Sequence, residues 1–577
     1  MRPLLALLAA SLIAAPHASL AADARLQALF DSAWEADLQD NPISADYLGD
    51  HRFADRWPDL TPAAFAARYA RYAATLAELK AIPRAGLSNA DKLNYDLFAL
   101  DFQRRLDAQP FKPWLYEVAR PRDGVQTSSE IAELLPFATV ADYEAWIARL
   151  TKMGAYIDEN IALLETAIRE KRTQPRSIME RVPAQIALQI PANAEDSPFF
   201  EPFKRFPDGI GAEDRARLIG EAGRAIGEQV IPAFRRLDAF MRDKYLPACR
   251  TSDGIWDTPD GAAFYANRVA YHTTTNLTPE EIHATGLREV ARIRAEMDEV
   301  IRKVGFNGSF EEFLTFLRTD PQFYARTPEE LLMVSSYVVN RVNAKIGDVI
   351  GTLPRRRFTV LPVPDAIAPY YTSGRGGLES CLMNTYDLPS RPLYNIPALT
   401  LHECVPGHSL QAALSEEGQE LPAFRRQTYF SGFGEGWGLY SEWLGEEMGI
   451  YRTPYEHFGR LSYEMWRAAR LVIDTGIHRY GWSRERAIEY LASHTALSQR
   501  EVETEVDRYI SWPGQALAYK LGELTIRRLR REAETALGER FDERRFHDAI
   551  LALGSTPLPV LEQRIHRFIE EEQARAH

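Results

Sequence analysis

His402-Glu403-Cys404-Val405-Pro406-Gly407-His408 is the stretch on which the reading of this 577-residue chain turns. In the H-E-x-x-H pattern of zinc peptidases the histidines stand at i and i+4, about 40° apart around a helix, so both reach one metal ion. Here the second histidine is at i+6, roughly 240° round, where an unbroken helix would aim it away. The segment carries its own remedy. Pro406 has no backbone N–H and clashes with the preceding turn, and Gly407 accepts dihedrals that other residues avoid. A helix broken at Pro406-Gly407 brings His408 back beside His402.

A catalytic zinc needs three protein ligands and leaves the fourth position to water. Gly434-Glu435-Gly436-Trp437-Gly438-Leu439-Tyr440 offers the third ligand, Glu435, and its flanking glycines allow a helix to approach a metal closely. A solvated surface glutamate is the competing reading, and the glycine and aromatic neighbours argue against it. The same segment resembles the Asn-Glu-Gly-Phe segment of the aminopeptidase gluzincins, where the glutamate binds zinc. Glu442, two turns on, lies on nearly the same face and can orient a ligand. Glu403 follows the first histidine directly, the position of a general base that also returns the proton to the leaving amine.

An anionic tetrahedral intermediate calls for donors opposite the metal. Two segments offer them. Arg467, Arg470, Asp474 and His478 recur at helical spacing, and such a stripe is either a solvated face, an internal ion-pair ladder or a pocket wall carrying His478. Arg508-Tyr509 precedes a Pro513-Gly514 break and a helix start with Gln515 and Tyr519. Tyr519 reads either as an oxyanion donor or as a buried structural tyrosine. Arg508 either holds a substrate carboxylate or pairs with a nearby acid.

Outward from these motifs the chain is helical. Ile147, Leu150, Met153, Ile157, Ile161, Leu164 and Ile168 recur at spacings of three and four. Thr278-Pro279-Glu280-Glu281 carries a capping box, and a stripe of Ile282, Leu287, Val290, Ile293, Met297 and Val300 follows. The clearest strand candidates are Phe358–Leu361 and Leu382–Tyr386, just ahead of the histidine motif. A small β-sheet beside the metal, with an edge that pairs with an extended peptide, is therefore expected.

Composition narrows the class. A formal charge of −13 without a basic stretch argues against a nucleic-acid partner. Arg2, an apolar run from Leu4 to Ala15 and the small-x-small triplet Ser19-Leu20-Ala21 predict a signal peptide over 1–21, too short for a stable membrane span. Residues 22–577 are expected to form one large helical domain, with a metal-site lobe of about 355–577 on one side of a cleft. For a bacterial source the mature chain would be periplasmic or secreted, with no lipid attachment and no later transmembrane segment. The three cysteines make no disulfide framework. A Cys249–Cys381 bridge is compatible with an oxidising compartment, and Cys404 reads as a small buried packing residue rather than a nucleophile.

Tyr394-Asn395-Ile396-Pro397, His402 through Gln411, Tyr271 through Thr275, Glu435-Gly436-Trp437, Arg470 through His478, and Arg508-Tyr509 through Tyr519 together resemble the bacterial domain-of-unknown-function 885 family, whose hallmark is H-E-x-x-P-G-H-x-x-Q. The resemblance implies a zincin-like, gluzincin-type helical fold with a deep substrate channel, similar to the angiotensin-converting enzyme and thimet oligopeptidase families. Those families use H-E-x-x-H, and dipeptidyl peptidase III carries a one-residue expansion that still binds zinc. The present segment is a two-residue expansion.

The expected function is an exported zinc metallopeptidase of short, flexible peptides. His402, His408 and Glu435 would hold one Zn²⁺, Glu403 would be the general base and acid, and Tyr519 or His478 would steady the oxyanion. Two other classes share these features: a periplasmic helical peptide- or ligand-binding protein whose metal is structural or absent, and a zinc hydrolase of non-peptide amides or esters.

Overall fold

The computed structural model describes residues 14–365, 368, 371–418 and 421–575, with side chains from residue 23 onward. The expected signal peptide therefore falls largely outside the described residues. Among the described residues no helix is long and apolar enough to cross a membrane. The protein is mainly helical with one small sheet. It divides into two compact units, the first made chiefly of residues up to 252 and the second chiefly of residues from 261 on. Every predicted site residue belongs to the second unit.

The first unit is built on helices α1 (Ala14–Asp40), α2 (Pro62–Lys80) and α3 (Asn89–Ala108). Leu26, Leu29 and Phe30 of α1 pack with Leu76 and Leu79 of α2 and with Phe98 and Phe102 of α3. The stripe from Ile147 to Ile168 falls on two helices rather than one, α4 (Val140–Thr151) and α5 (Met153–Arg169). Ile147, Leu150, Met153, Ile157 and Leu164 are all buried, so the periodicity reports the common core and passes over the one-residue break at Lys152.

In the second unit α6 (Pro279–Lys303) begins with the capping box read from the sequence. The Thr278 hydroxyl accepts from the Glu281 N–H at 3.2 Å, and Glu281 Oε2 accepts from the Thr278 N–H at 2.8 Å. Leu287 departs from the expected stripe and is exposed, because Gly286 takes the inward position one residue earlier. A Cβ at Gly286 would lie 2.8 Å from the side chains of Leu471 and Val472, so the missing side chain lets α6 press against the helix that carries them.

Three short strands follow: β1 (Thr359–Pro362), β2 (Gly374–Arg375) and β3 (Ser380–Met383). β3 is central, parallel to β1 with Val360 opposite Cys381, and antiparallel to β2 with Arg375 opposite Leu382. The two strands read from the sequence are thus present, with ends shifted by one to three residues. β2 ends one residue before Gly376, which touches the histidine motif. The site-bearing helices are α7 (Ile396–Glu403), α8 (His408–Glu417), α9 (Ser431–Glu447), α10 (Pro454–His478), α11 (Gln499–Ser511) and α12 (Ala518–Leu537). α10 is buried from Phe458 to His478, so its polar residues are an internal ladder rather than a solvated face.

Candidate metal centre

The helix breaks inside the motif. α7 ends at Glu403, residues 404–407 form a turn, and α8 starts at His408. The Cys404 N–H still reaches Thr400 O at 2.9 Å, and the next helical ladder begins with the Gln411 N–H on Gly407 O at 3.0 Å. Groups freed by the break find other partners. Pro406 O accepts from the Trp437 indole N–H at 2.8 Å, and Glu403 O accepts from the Ser409 hydroxyl at 3.2 Å. The Val405–Pro406 peptide is cis. Gly407 is required for a reason that its sequence position did not suggest. A Cβ there would lie 1.8 Å from the carbonyl oxygen of His402. The chain folds back on itself too closely for any side chain.

This turn sets the two imidazoles edge to face with ring centroids 4.8 Å apart. Glu435 of α9 completes the group. Its Oε2 is 3.5 Å from His402 Nε2 and 3.4 Å from His408 Nε2, and one ligand atom from each residue lies within 4.8 Å of the others. Two bonds of about 2.05 Å at a tetrahedral angle put donor atoms roughly 3.3 Å apart, so the two measured separations fit a single zinc ion. Two neutral imidazoles and a carboxylate are also a donor set that zinc accepts.

The surroundings fix the ligands. His402 Nδ1 donates to Glu442 Oε1 at 2.8 Å, which leaves Nε2 facing the site, and the same oxygen lies 3.3 Å from Arg467 Nη2. Gly438, one turn beyond Glu435, lets α9 lie directly on the His402 ring: a Cβ there would be 2.7 Å from Cε1 and 2.8 Å from Nε2. Glu435 Oε1 accepts from the Tyr429 hydroxyl at 3.1 Å. Glu403 Oε2 accepts from the Gly376 N–H at 2.7 Å, so one oxygen is anchored by the sheet loop.

Electrostatics couple these groups. Burial pushes the His402 imidazolium toward neutrality, but the carboxylates of Glu435, Glu442 and Glu403 outweigh it and raise its pKa to about 9. Burial likewise opposes ionisation of Glu435, and the two histidines overcome it, holding the carboxyl well below its usual range. Tyr429 leaves 52% of its surface exposed, yet its hydroxyl end is desolvated beside Glu435, and the phenol is held well above its ordinary value. Tyr519 is raised for the same two reasons.

Tyr519 is near the group, its ring nearly parallel to that of His402 with centroids 6.4 Å apart. His478 is not available as an oxyanion donor, and that expectation is corrected. Its Nδ1 accepts from the Ile255 N–H at 3.1 Å and its Nε2 donates to Tyr509 O at 2.9 Å, so both nitrogens are held by backbone in a fully packed position. Asp474 accepts from the Tyr265 hydroxyl at 2.6 Å and the Gly514 N–H at 3.1 Å. Arg508 pairs with Glu505 at 2.7 Å rather than with Asp507, which binds Arg484.

The cysteines are also corrected. Cys381 bonds Cys404 across a Cα separation of 5.5 Å, and Cys249 is free and buried. Cys404 is buried as expected, but it is a covalent tie between β3 and the turn after Glu403. No sequence pattern announces this pair, because the contact is made by the packing of β3 against the turn at residues 404–407. Tyr429 was also missed; its position six residues before Glu435 is the only local signal.

The chain belongs to the family described as bacterial protein of unknown function (DUF885), whose profile matches residues 42–565. It is similar to the crystal structure of a "putative lipoprotein" from Colwellia psychrerythraea, with a TM-score of 0.88 and 26% identity over 95% of this chain and 99% of that one. A "putative lipoprotein of unknown function" from Shewanella oneidensis shares the fold, with a TM-score of 0.67 and 17% identity over 93% and 98% of the two chains. Comparison with curated proteins gives no match.

Proposed function

We propose that this protein is an exported zinc-dependent metallopeptidase of zincin type that acts on short, flexible peptides. The observation that carries the reading is the convergence of His402 Nε2, His408 Nε2 and Glu435 Oε2 at separations suited to one zinc ion, with Glu403 next in sequence to a ligand. Zinc held there would supply a Lewis acid and bring the pKa of water toward 7.

The protein's own groups do the rest. Glu403 is held by the Gly376 N–H through Oε2, which leaves Oε1 to take a proton from the attacking water. As the water oxygen bonds to the peptide carbon and the C–N bond breaks, the same carboxyl returns that proton to the departing nitrogen. Glu442 keeps Nδ1–H of His402 oriented so that Nε2 remains a donor to the metal. Tyr519 and Tyr429 bring phenol hydroxyls to the neighbourhood in which charge develops on the carbonyl oxygen. Export is supported by the Cys381–Cys404 bridge, which belongs to an oxidising compartment, and by the lipoprotein names of the similar structures.

Glu403→Gln tests the reading. Hydrolysis of a peptide library, followed by mass spectrometry, is expected to stop while one zinc per chain is retained. Turnover equal to that of the unaltered protein would overturn the assignment of Glu403.

A further inference from the structure

Beside the candidate metal centre lies a charge imbalance that the zinc ligands do not use. Arg470 of α10 and Arg508 of α11 are both buried, and they share one carboxylate. Glu505 Oε2 accepts from Arg470 Nη2 at 3.0 Å, from Arg508 Nη2 at 2.7 Å and from the Tyr509 hydroxyl at 3.0 Å. Arg508 Nη1 is bonded to Gln515 and Arg470 Nε to the Tyr509 oxygen, but Arg470 Nη1, in a residue only 2% exposed, has no acceptor among the described residues. The nearby Asp474 is committed to Tyr265 and Gly514. Lys520 shows the contrasting arrangement, ringed by Glu464, Glu523 and Glu289 at 2.8, 2.9 and 3.2 Å.

A buried guanidinium with an open N–H and a net positive surrounding is a site for an anion, and the planar fork suits a carboxylate. Its place relative to the metal ligands is given by Tyr519. The Arg470 guanidinium is 4.3 Å from the Tyr519 ring centroid, and that ring is 6.4 Å from the ring of His402. The two separations together set an upper limit of about three extended residues, at about 3.3–3.6 Å each, between His402 and Arg470.

We propose that the open Nη1 of Arg470, with the positive charge of Arg508 beside it, holds the free α-carboxylate of the peptide substrate, so that the bond cut lies within about three residues of the carboxyl end. This rests on the peptidase reading above for the cut itself, but not for the binding of the carboxylate. The pair is a specificity element; neither arginine touches the reacting atoms.

Calorimetric titration of zinc-loaded Glu403→Gln protein with pentaalanine and with the same peptide amidated at its carboxyl end separates the two readings. The free acid is expected to bind at least 30-fold more tightly than the amide. Unaltered protein is expected to cut the acid within about three residues of its carboxyl end and to cut the amide at least 30-fold more slowly. Arg508→Gln should reduce the acid-to-amide ratio of binding to below 3-fold, and the ligand comparison stands without that variant if it fails to fold. Equal binding of acid and amide, no binding of the acid at millimolar concentration, or cleavage of the amide as fast as the acid would overturn the carboxylate site. Preference for the acid without hydrolysis of either peptide would support the site and sink the peptidase reading instead.

Discussion

Glu442→Gln removes a charge from behind the metal ligands while keeping an oxygen that can accept from His402 Nδ1. Glu442 is 1% exposed and lies 2.8 Å from that nitrogen. Against the penalty of burial, Glu435, Glu442 and Glu403 together raise the His402 pKa from 6.5 to about 9. At about 1.4 kcal/mol per pKa unit, this is a net preference of roughly 3 kcal/mol for positive charge at the ring. Zinc at Nε2 is stabilised by the same field. The variant loses the Glu442 part of that field, and the zinc dissociation constant should rise roughly 10- to 100-fold, the range seen when such outer partners are removed. Arg467 also loses its anionic neighbour, so the metal-free variant should unfold at a lower temperature. Competition with a chromophoric chelator at fixed pH measures the affinity. The unaltered protein carries a second signature. Zinc must displace a proton from His402, so its apparent affinity should rise about tenfold per pH unit up to about pH 9, and the variant should reach its plateau at lower pH. In the metal-free protein the raised pKa gives stability that is full below pH 6.5 and is lost as pH rises through 9. A dissociation constant within twofold of the unaltered value, with the same pH dependence, would refute the assigned role of Glu442.

Three further outcomes follow from the same geometry. Gly438→Ala places a methyl 2.7 Å from the His402 ring, so zinc content should fall below half a mole per mole with little change in circular dichroism; a full zinc complement would show that the ring gives way freely. Reduction of Cys381–Cys404, or its replacement by two alanines, releases a loop of 23 residues and should cost the site-bearing unit about 3 kcal/mol in denaturant unfolding, an expectation defeated by an unchanged midpoint. Burial raises the Asp474 pKa from 3.8 to about 7, so ionising it opposes folding. Its contribution is best below pH 3.8 and worsens by about 4 kcal/mol as pH climbs to 7, and Asp474→Asn should remove this slope from the difference in stability between the two proteins. Identical pH profiles would exclude the Asp474 account.

The helical character of the chain, the capping box at Thr278, the strands ahead of the motif and the break at Pro406-Gly407 were legible because each follows from local chemistry. A missing N–H, a side-chain cap and an apolar period act within a few residues. The same reasoning brought His402, His408 and Glu435 together, since a glutamate among glycines on a following helix has few other uses. It failed wherever a residue's role depended on what arrives from far along the chain. His478 has the composition of a pocket residue, but the N–H of Ile255, 223 positions earlier, occupies one ring nitrogen. Leu287 fits an apolar stripe, yet the close approach of α10 makes Gly286 the contact.

The sequence by itself determined the donor types and the need for a broken helix, because proline and glycine impose those conditions in any fold. Only the tertiary structure decided that Cys404 bonds Cys381, that Glu442 orients His402, and that Gly407 lies too close to His402 O for any side chain. Those outcomes depend on separations of an ångström or less between segments that are distant in the chain. Side-chain chemistry limits which partners are acceptable, and packing selects among them.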